Sequence, residues 1–216
     1  MSFAEQFKSN FYSRMLQPNH PATVPRDRAS SLLRIFEILD KRKQTGQDYF
    51  RILETGTTRS DHGHLCFGDD GCATYIFDKF VNHYDGEVLS VDISEKNCVY
   101  SNSLTSEKTK VHCGDSVDFL WSLPPNIKID FLYLDSFDFI AENPYPSMLH
   151  HVKELCAVMK NIHPKTLIVV DDHNISDNTA LPEGKMGKGT YVKSFMDDIG
   201  AELLFEGYQV GWILGE

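Results

Sequence analysis

Apolar residues recur along this chain in two rhythms. In the first, Phe3, Phe7, Phe11 and Met15 fall four apart, which predicts an amphipathic helix from Ser2 to about Leu16. Gln17-Pro18-Asn19-His20-Pro21, with Pro25 soon after, interrupts it, since proline cannot continue a helical hydrogen-bond ladder. Leu32, Leu33, Ile35, Phe36 and Leu39 then mark a second helix, from Arg26 to Lys43, closed by Gly46. From Tyr49 the rhythm changes to short apolar runs at Tyr49–Leu53, Val88–Val91, Lys110–His112, Ile129–Leu134, Leu167–Val170, Glu202–Phe205 and Val210–Leu214. Helix-like stretches separate most of them, at Cys72–Asn82, Lys96–Leu104, Val117–Leu123, Pro146–Asn161 and Thr190–Ile199.

Alternating strands and helices specify an α/β fold, and near-continuous apolar runs are those of parallel strands covered on both faces. The last two runs are joined only by Glu206-Gly207-Tyr208-Gln209. That link is too short for a parallel crossover, so those two strands must be antiparallel. The expected fold is a doubly wound, Rossmann-like, seven-stranded, mostly parallel sheet with an antiparallel last strand. Residues 1–47 form a helical extension, and residues 48–216 form the α/β domain.

Composition narrows the function. Among 216 residues, 21 Lys+Arg face 31 Asp+Glu, for a net charge of −10. Nucleic-acid backbones are bound by clustered cations, so this balance argues against them as the partner. No apolar run approaches the roughly 18–20 residues of a membrane span, and the N-terminus lacks the continuous apolar stretch of a secretory signal. The five cysteines are odd in number and lack CxxC spacing, as expected of free thiols in a cytoplasmic protein. Cys98, Cys113 and Cys156 are expected to act as small buried apolar residues.

Ligands of open α/β sheets bind beyond the C-terminal ends of the strands. Here these ends carry Glu54-Thr55-Gly56-Thr57-Thr58, Asp92, Gly114-Asp115-Ser116, Asp135-Ser136-Phe137-Asp138 and Asp171-Asp172-His173-Asn174. A carboxylate stands at every one. In this respect, and in element order, the chain resembles the class I S-adenosylmethionine-dependent methyltransferases from about Asp48 to its end. The resemblance implies S-adenosylmethionine as cofactor. Glu54, Gly56 and Thr57 would lie under its methionine part, Asp92 would meet the ribose hydroxyls, and Asp115 with Ser116 would meet the adenine. One departure stands out: Arg59 to Phe67 intervene between the first motif and Gly68-Asp69-Asp70-Gly71.

Asp135, Asp171 and Asp172 end adjacent strands, and hard oxygen donors suit Mg2+ or a similar dication. This resembles the divalent-metal-dependent O-methyltransferases of the catechol and macrolide-sugar types, and implies a metal that lowers the pKa of an acceptor hydroxyl. The other reading has Asp171 and Asp172 capping a helix or loop while Asp135 meets the acceptor directly. Asp138 stands where the catechol type has its lysine, so that base is not carried over. His173 beside the cluster is the candidate base, with a purely structural role as the alternative. His150-His151 and His62 with His64 are expected to be surface or loop histidines. Gly184-Lys185-Met186-Gly187-Lys188-Gly189 lacks P-loop spacing and reads as a mobile lid. The N-terminal helices either cap the acceptor or form a homodimer contact.

The expected activity is therefore methyl transfer to a small-molecule hydroxyl, with Asp135 and His173 as catalytic residues. A nicotinamide-dependent oxidoreductase is the competing class, and a methyltransferase-fold protein with a hydroxylase-like or non-catalytic role is a third.

Overall fold

The computed structural model describes residues 1–16, 26–59, 64–177 and 185–215. Five parallel strands come first: β1 (Phe50–Thr55), β2 (Gly86–Asp92), β3 (Thr109–Cys113), β4 (Phe131–Leu134) and β5 (Leu167–Val170). A two-residue ladder follows, β6 (Ser176–Asp177) with β7 (Lys185–Met186), and then β8 (Glu202–Glu206) and β9 (Val210–Ile213). The main sheet runs β3-β2-β1-β4-β5-β9-β8, and β9 is antiparallel to both of its neighbours. The seven expected strands and the reversed last one are all present. Chain direction across the sheet reverses between β1 and β4, which places the ligand crevice at their C-terminal ends.

Strand periodicity divides the core. Phe131, Tyr133, Leu167 and Val169 face one side of the sheet, while Leu132, Leu134, Ile168 and Val170 face the other, and all eight are buried. The second side is covered by α6 (Ser116–Ser122), α7 (Tyr145–Val158) and α8 (Thr190–Asp198), which contribute Leu120, Leu155, Val192 and Met196. The first is covered by α3 (Arg28–Gln44) and α4 (Ala73–His83), with α5 (Glu95–Leu104) beside β2 and β3.

The N-terminal segment joins that first layer. It runs as α1 (Phe3–Phe7), a π-helical stretch over Lys8–Tyr12, and α2 (Ser13–Met15). A spacing of four drifts about 40° per step around a 3.6-residue helix. The wider π-helical turn offsets that drift, and Phe3, Phe7, Phe11 and Met15 are all buried. Phe3 and Phe7 pack on Phe36, and Phe3 also packs on Phe80 of α4. A capping box between Ser2 and Glu5 starts the segment, and Asp40 of α3 accepts from the amides of Phe3 and Ala4.

Two of the expected buried thiols are corrected. Cys98 is buried, as are Cys66 and Cys72, but Cys113 and Cys156 are exposed. Cys113 ends an edge strand, and Cys156 lies on the solvent side of α7, next to buried Leu155. Among the described residues no helix is long and apolar enough to cross a membrane.

Candidate active site

A cleft of about 460 Å3 opens at the C-terminal ends of β1 to β4. Its floor begins where β1 ends. Gly56 has φ +79°, and a Cβ there would lie 2.5 Å from the carbonyl oxygen of Asp135. Only glycine lets this loop pass so close to the end of β4. Beyond it, the Thr57 amide donates to Asp92 Oδ2 (3.1 Å), and the Thr57 hydroxyl bonds Thr74 (3.0 Å) and Ser101 (2.7 Å). Glu54 is buried under this loop and accepts from Ser90 (2.6 Å) and Thr74 (2.7 Å). Burial pushes the Glu54 carboxyl up to about 8, against the pull of those two hydroxyls.

Asp92 Oδ1 accepts from the Ser94 amide (2.7 Å), which turns the chain into α5. Asp115 caps α6 by accepting from the Asp118 amide (3.0 Å) and is otherwise exposed. Ser116 lies 2.9 Å from His150 Nε2. Glu54, Gly56, Thr57, Asp92, Asp115, Ser116 and Asp135, all singled out from sequence, line this one cleft. Gly68 and Gly71 do not. Gly71 instead makes room for Arg28, whose Cδ would lie 2.9 Å from a Cβ at that position.

The second acidic group lies behind Asp135. One oxygen from each of Asp135, Asp171 and Asp172 falls within 4.8 Å of the others, so the three expected ligands do converge. Protein cations already hold them. Arg28 grips Asp171 through Nε (2.9 and 3.1 Å) and Nη2 (2.7 Å), and Gln209 donates to the same carboxylate (2.7 Å). Lys188 Nζ lies 2.6 Å from Asp135 Oδ1 and 3.2 Å from Asp172 Oδ2. Asp172, at φ +48°, also accepts from the Tyr208 hydroxyl. As arranged, the donor set is a charged hydrogen-bond network, and it does not fit a cage open to a dication.

This network sets the charges. Burial would raise the Asp172 carboxyl, but Lys188 and Arg28 hold it well below the usual range. Burial and the neighbouring Asp171 push Asp135 up to about 8, against the pull of Lys188.

Several sequence expectations change here. His173 is buried with Nε2 3.3 Å from Glu206 and does not line the cleft. His150 does line it, and Glu154 Oε1, one helical turn on, lies 3.3 Å from its Nε2. His151 is fully buried, so neither is a simple surface histidine. Glu154 is also buried, and Ser136 (2.6 Å) and Thr55 (3.2 Å) donate to it. His64 is exposed, while His62 lies outside the described residues. Gly184, the first residue of the expected lid, also lies outside them. Met186, Gly187, Lys188 and Gly189 are buried, which is not the surface of a lid. Asp138 lines the cleft and pairs with Arg59.

The sequence pattern gave no site role to Arg28 or Glu154, placed His150 at the surface and put Lys188 in a lid. The i,i+4 spacing of His150 and Glu154 on a helix placed them on one face, and glycines on both sides of Lys188 marked a tight chain path. Nothing distinguished Arg28 from other helix-start residues.

No protein-family model and no curated protein matches the sequence. Solved structures do. MycE, a methyltransferase of mycinamycin biosynthesis crystallised with Mg, S-adenosylhomocysteine and mycinamycin VI, superposes with a TM-score of 0.60 at 16% identity. The match covers 100% of this chain and 54% of MycE, so the chain spans about half that protein's length. CalS11, a calicheamicin methyltransferase, superposes at 0.52 with 12% identity over 99% of this chain and 92% of its own. The fold is that of the class I methyltransferases. Within the methyltransferase fold, the Asp135 edge and the Asp171-Asp172 edge are adjacent strand ends, β4 beside β5.

Proposed function

We propose that the chain is an S-adenosylmethionine-dependent methyltransferase acting on a hydroxyl of a small molecule. The observation that carries this is the convergence of Glu54, Gly56, Asp92, Asp115 and Asp135 on one cleft at the topological switch of the sheet. Its volume suits a bound small molecule. The structural neighbours support the same reading, and nothing in the first loop supplies the GxGxxG that a nicotinamide cofactor calls for.

Each residue has a physical task. Gly56 gives a floor free of side chains, and Glu54 underlies it as a buried carboxyl. Asp92 spends one lone pair per oxygen on the Thr57 and Ser94 amides. A second pair on each remains for a vicinal diol. Asp115 offers an exposed carboxylate to an exocyclic amine. S-adenosylmethionine supplies an electrophilic methyl on a sulfonium, and the transfer depends mainly on in-line approach of the acceptor oxygen. Asp135 takes the hydroxyl proton as that oxygen attacks, a role suited to a carboxyl whose pKa is pushed up to about 8. No step here needs a dication.

The test is turnover with labelled S-adenosylmethionine against a panel of sugars and catechols, reading S-adenosylhomocysteine and methylated product. Asp135→Asn is expected to lower kcat roughly 10^2–10^4-fold while leaving S-adenosylhomocysteine affinity unchanged. Full turnover in that variant contradicts the assignment.

A further inference from the structure

We propose that Lys188 is the resident cation of the acidic cluster. Its ammonium stands where a divalent ion would sit, and the centre works without bound metal. Lys188 is entirely buried, and an unpaired ammonium is costly to bury. Here it is matched by Asp135 Oδ1 at 2.6 Å, Asp172 Oδ2 at 3.2 Å and the Asp135 carbonyl at 3.4 Å. An ion binding both carboxylates at about 2.1 Å would lie against that nitrogen, so ion and ammonium exclude each other.

The chain is built to deliver this lysine. The Lys188 amide donates to the Asp172 carbonyl at 2.8 Å. On one side, a Cβ at Gly187 would lie 2.0 Å from that carbonyl and 1.9 Å from the carbonyl of His173. On the other, a Cβ at Gly189 would lie 2.8 Å from the His173 ring. Two residues without side chains therefore thread the backbone against β5's exit, and the side chain between them reaches under the cluster. Arg28 independently neutralises Asp171. With Asp135 ionised, three carboxylates against two fixed cations leave one negative charge, where a dication added beside them would leave one positive.

Lys188 then acts as a positioning residue. It holds Asp135 Oδ1, while Oδ2 has no hydrogen-bond partner among the described residues and Asp135 opens on the cleft. That role rests on the proposed use of Asp135, but the cation claim is tested without turnover.

The experiment is Mn2+ titration of the full chain, followed by electron paramagnetic resonance, with S-adenosylhomocysteine binding measured separately on the same samples. Wild type is expected to take up no stoichiometric Mn2+. Lys188→Met or, should that variant unfold, Lys188→Gln is expected to gain one Mn2+ per chain, and adding Asp135→Asn should abolish it. One Mn2+ bound by wild type and lost in Asp135→Asn overturns the proposal. So does a folded Lys188 variant that gains no site. Should both Lys188 variants unfold, the wild-type result alone decides. Failure to bind S-adenosylhomocysteine would strike the methyltransferase reading and leave the Mn2+ result standing.

Discussion

At Gly56, any side chain would meet the Asp135 carbonyl, and φ +79° already disfavours an L-residue. Gly56→Ala is expected to cost roughly 1–3 kcal/mol of stability in urea denaturation and to weaken S-adenosylhomocysteine binding. Asp135 carries a pH prediction. A base works in its ionised form, so with a carboxyl pushed up to about 8, kcat should rise with pH and level off above about 8. A flat profile from pH 5 to 9 would remove Asp135 as the base. Gly56, Asp92 and Asp135 were legible because strand-end position alone assigns their neighbourhood. Arg28 and Lys188 were not, because they reach the cluster from α3 and from the segment after β7, and no local spacing encodes a contact 143 residues apart, such as that between Arg28 and Asp171. The histidines misled for a related reason: His173 follows the acidic pair in sequence but points to Glu206, whereas His150 sits a turn from Glu154 and faces the cleft.

At the scale of elements, the N-terminal helices have a structural task that sequence left open. Their four-residue apolar spacing was legible, but not the helices α3 and α4 on which it packs, since periodicity gives a stripe and no partner. Phe7 is fully buried against Phe36 and Phe11. Phe7→Ala is therefore expected to cost about 3–5 kcal/mol, measured by urea denaturation. A loss below 1 kcal/mol would mean that the segment is an ornament on an independently stable domain. Arg28 links the start of α3 to the end of β5 and to Tyr208 in the β8–β9 turn. Arg28→Met strands Asp171, a fully buried carboxylate, and should also cost about 3–5 kcal/mol. Replacing both partners, Arg28→Met with Asp171→Leu, should recover much of that loss.

At the scale of the molecule, strand order followed from the sequence because apolar runs, helix-length gaps and one short final link leave little topological choice. The acidic excess followed only in part: several carboxylates line the predicted edge, yet those behind Asp135 are neutralised from within. Stability should also respond to acid. An unfolded histidine titrates near 6.5, whereas burial pushes His151 down to about 4. The unfolded chain therefore binds this proton first, and stability falls as pH drops from about 6.5 to about 4, by up to about 3 kcal/mol. His151→Gln should flatten that window when thermal unfolding is compared across pH.

The proposed cofactor cleft, built on Gly56 and Asp92, is tested by calorimetric titration with S-adenosylhomocysteine. One site per chain is expected, lost or strongly weakened in Asp92→Ala, with no competition from NAD. Binding of NAD with no response to S-adenosylhomocysteine would contradict it.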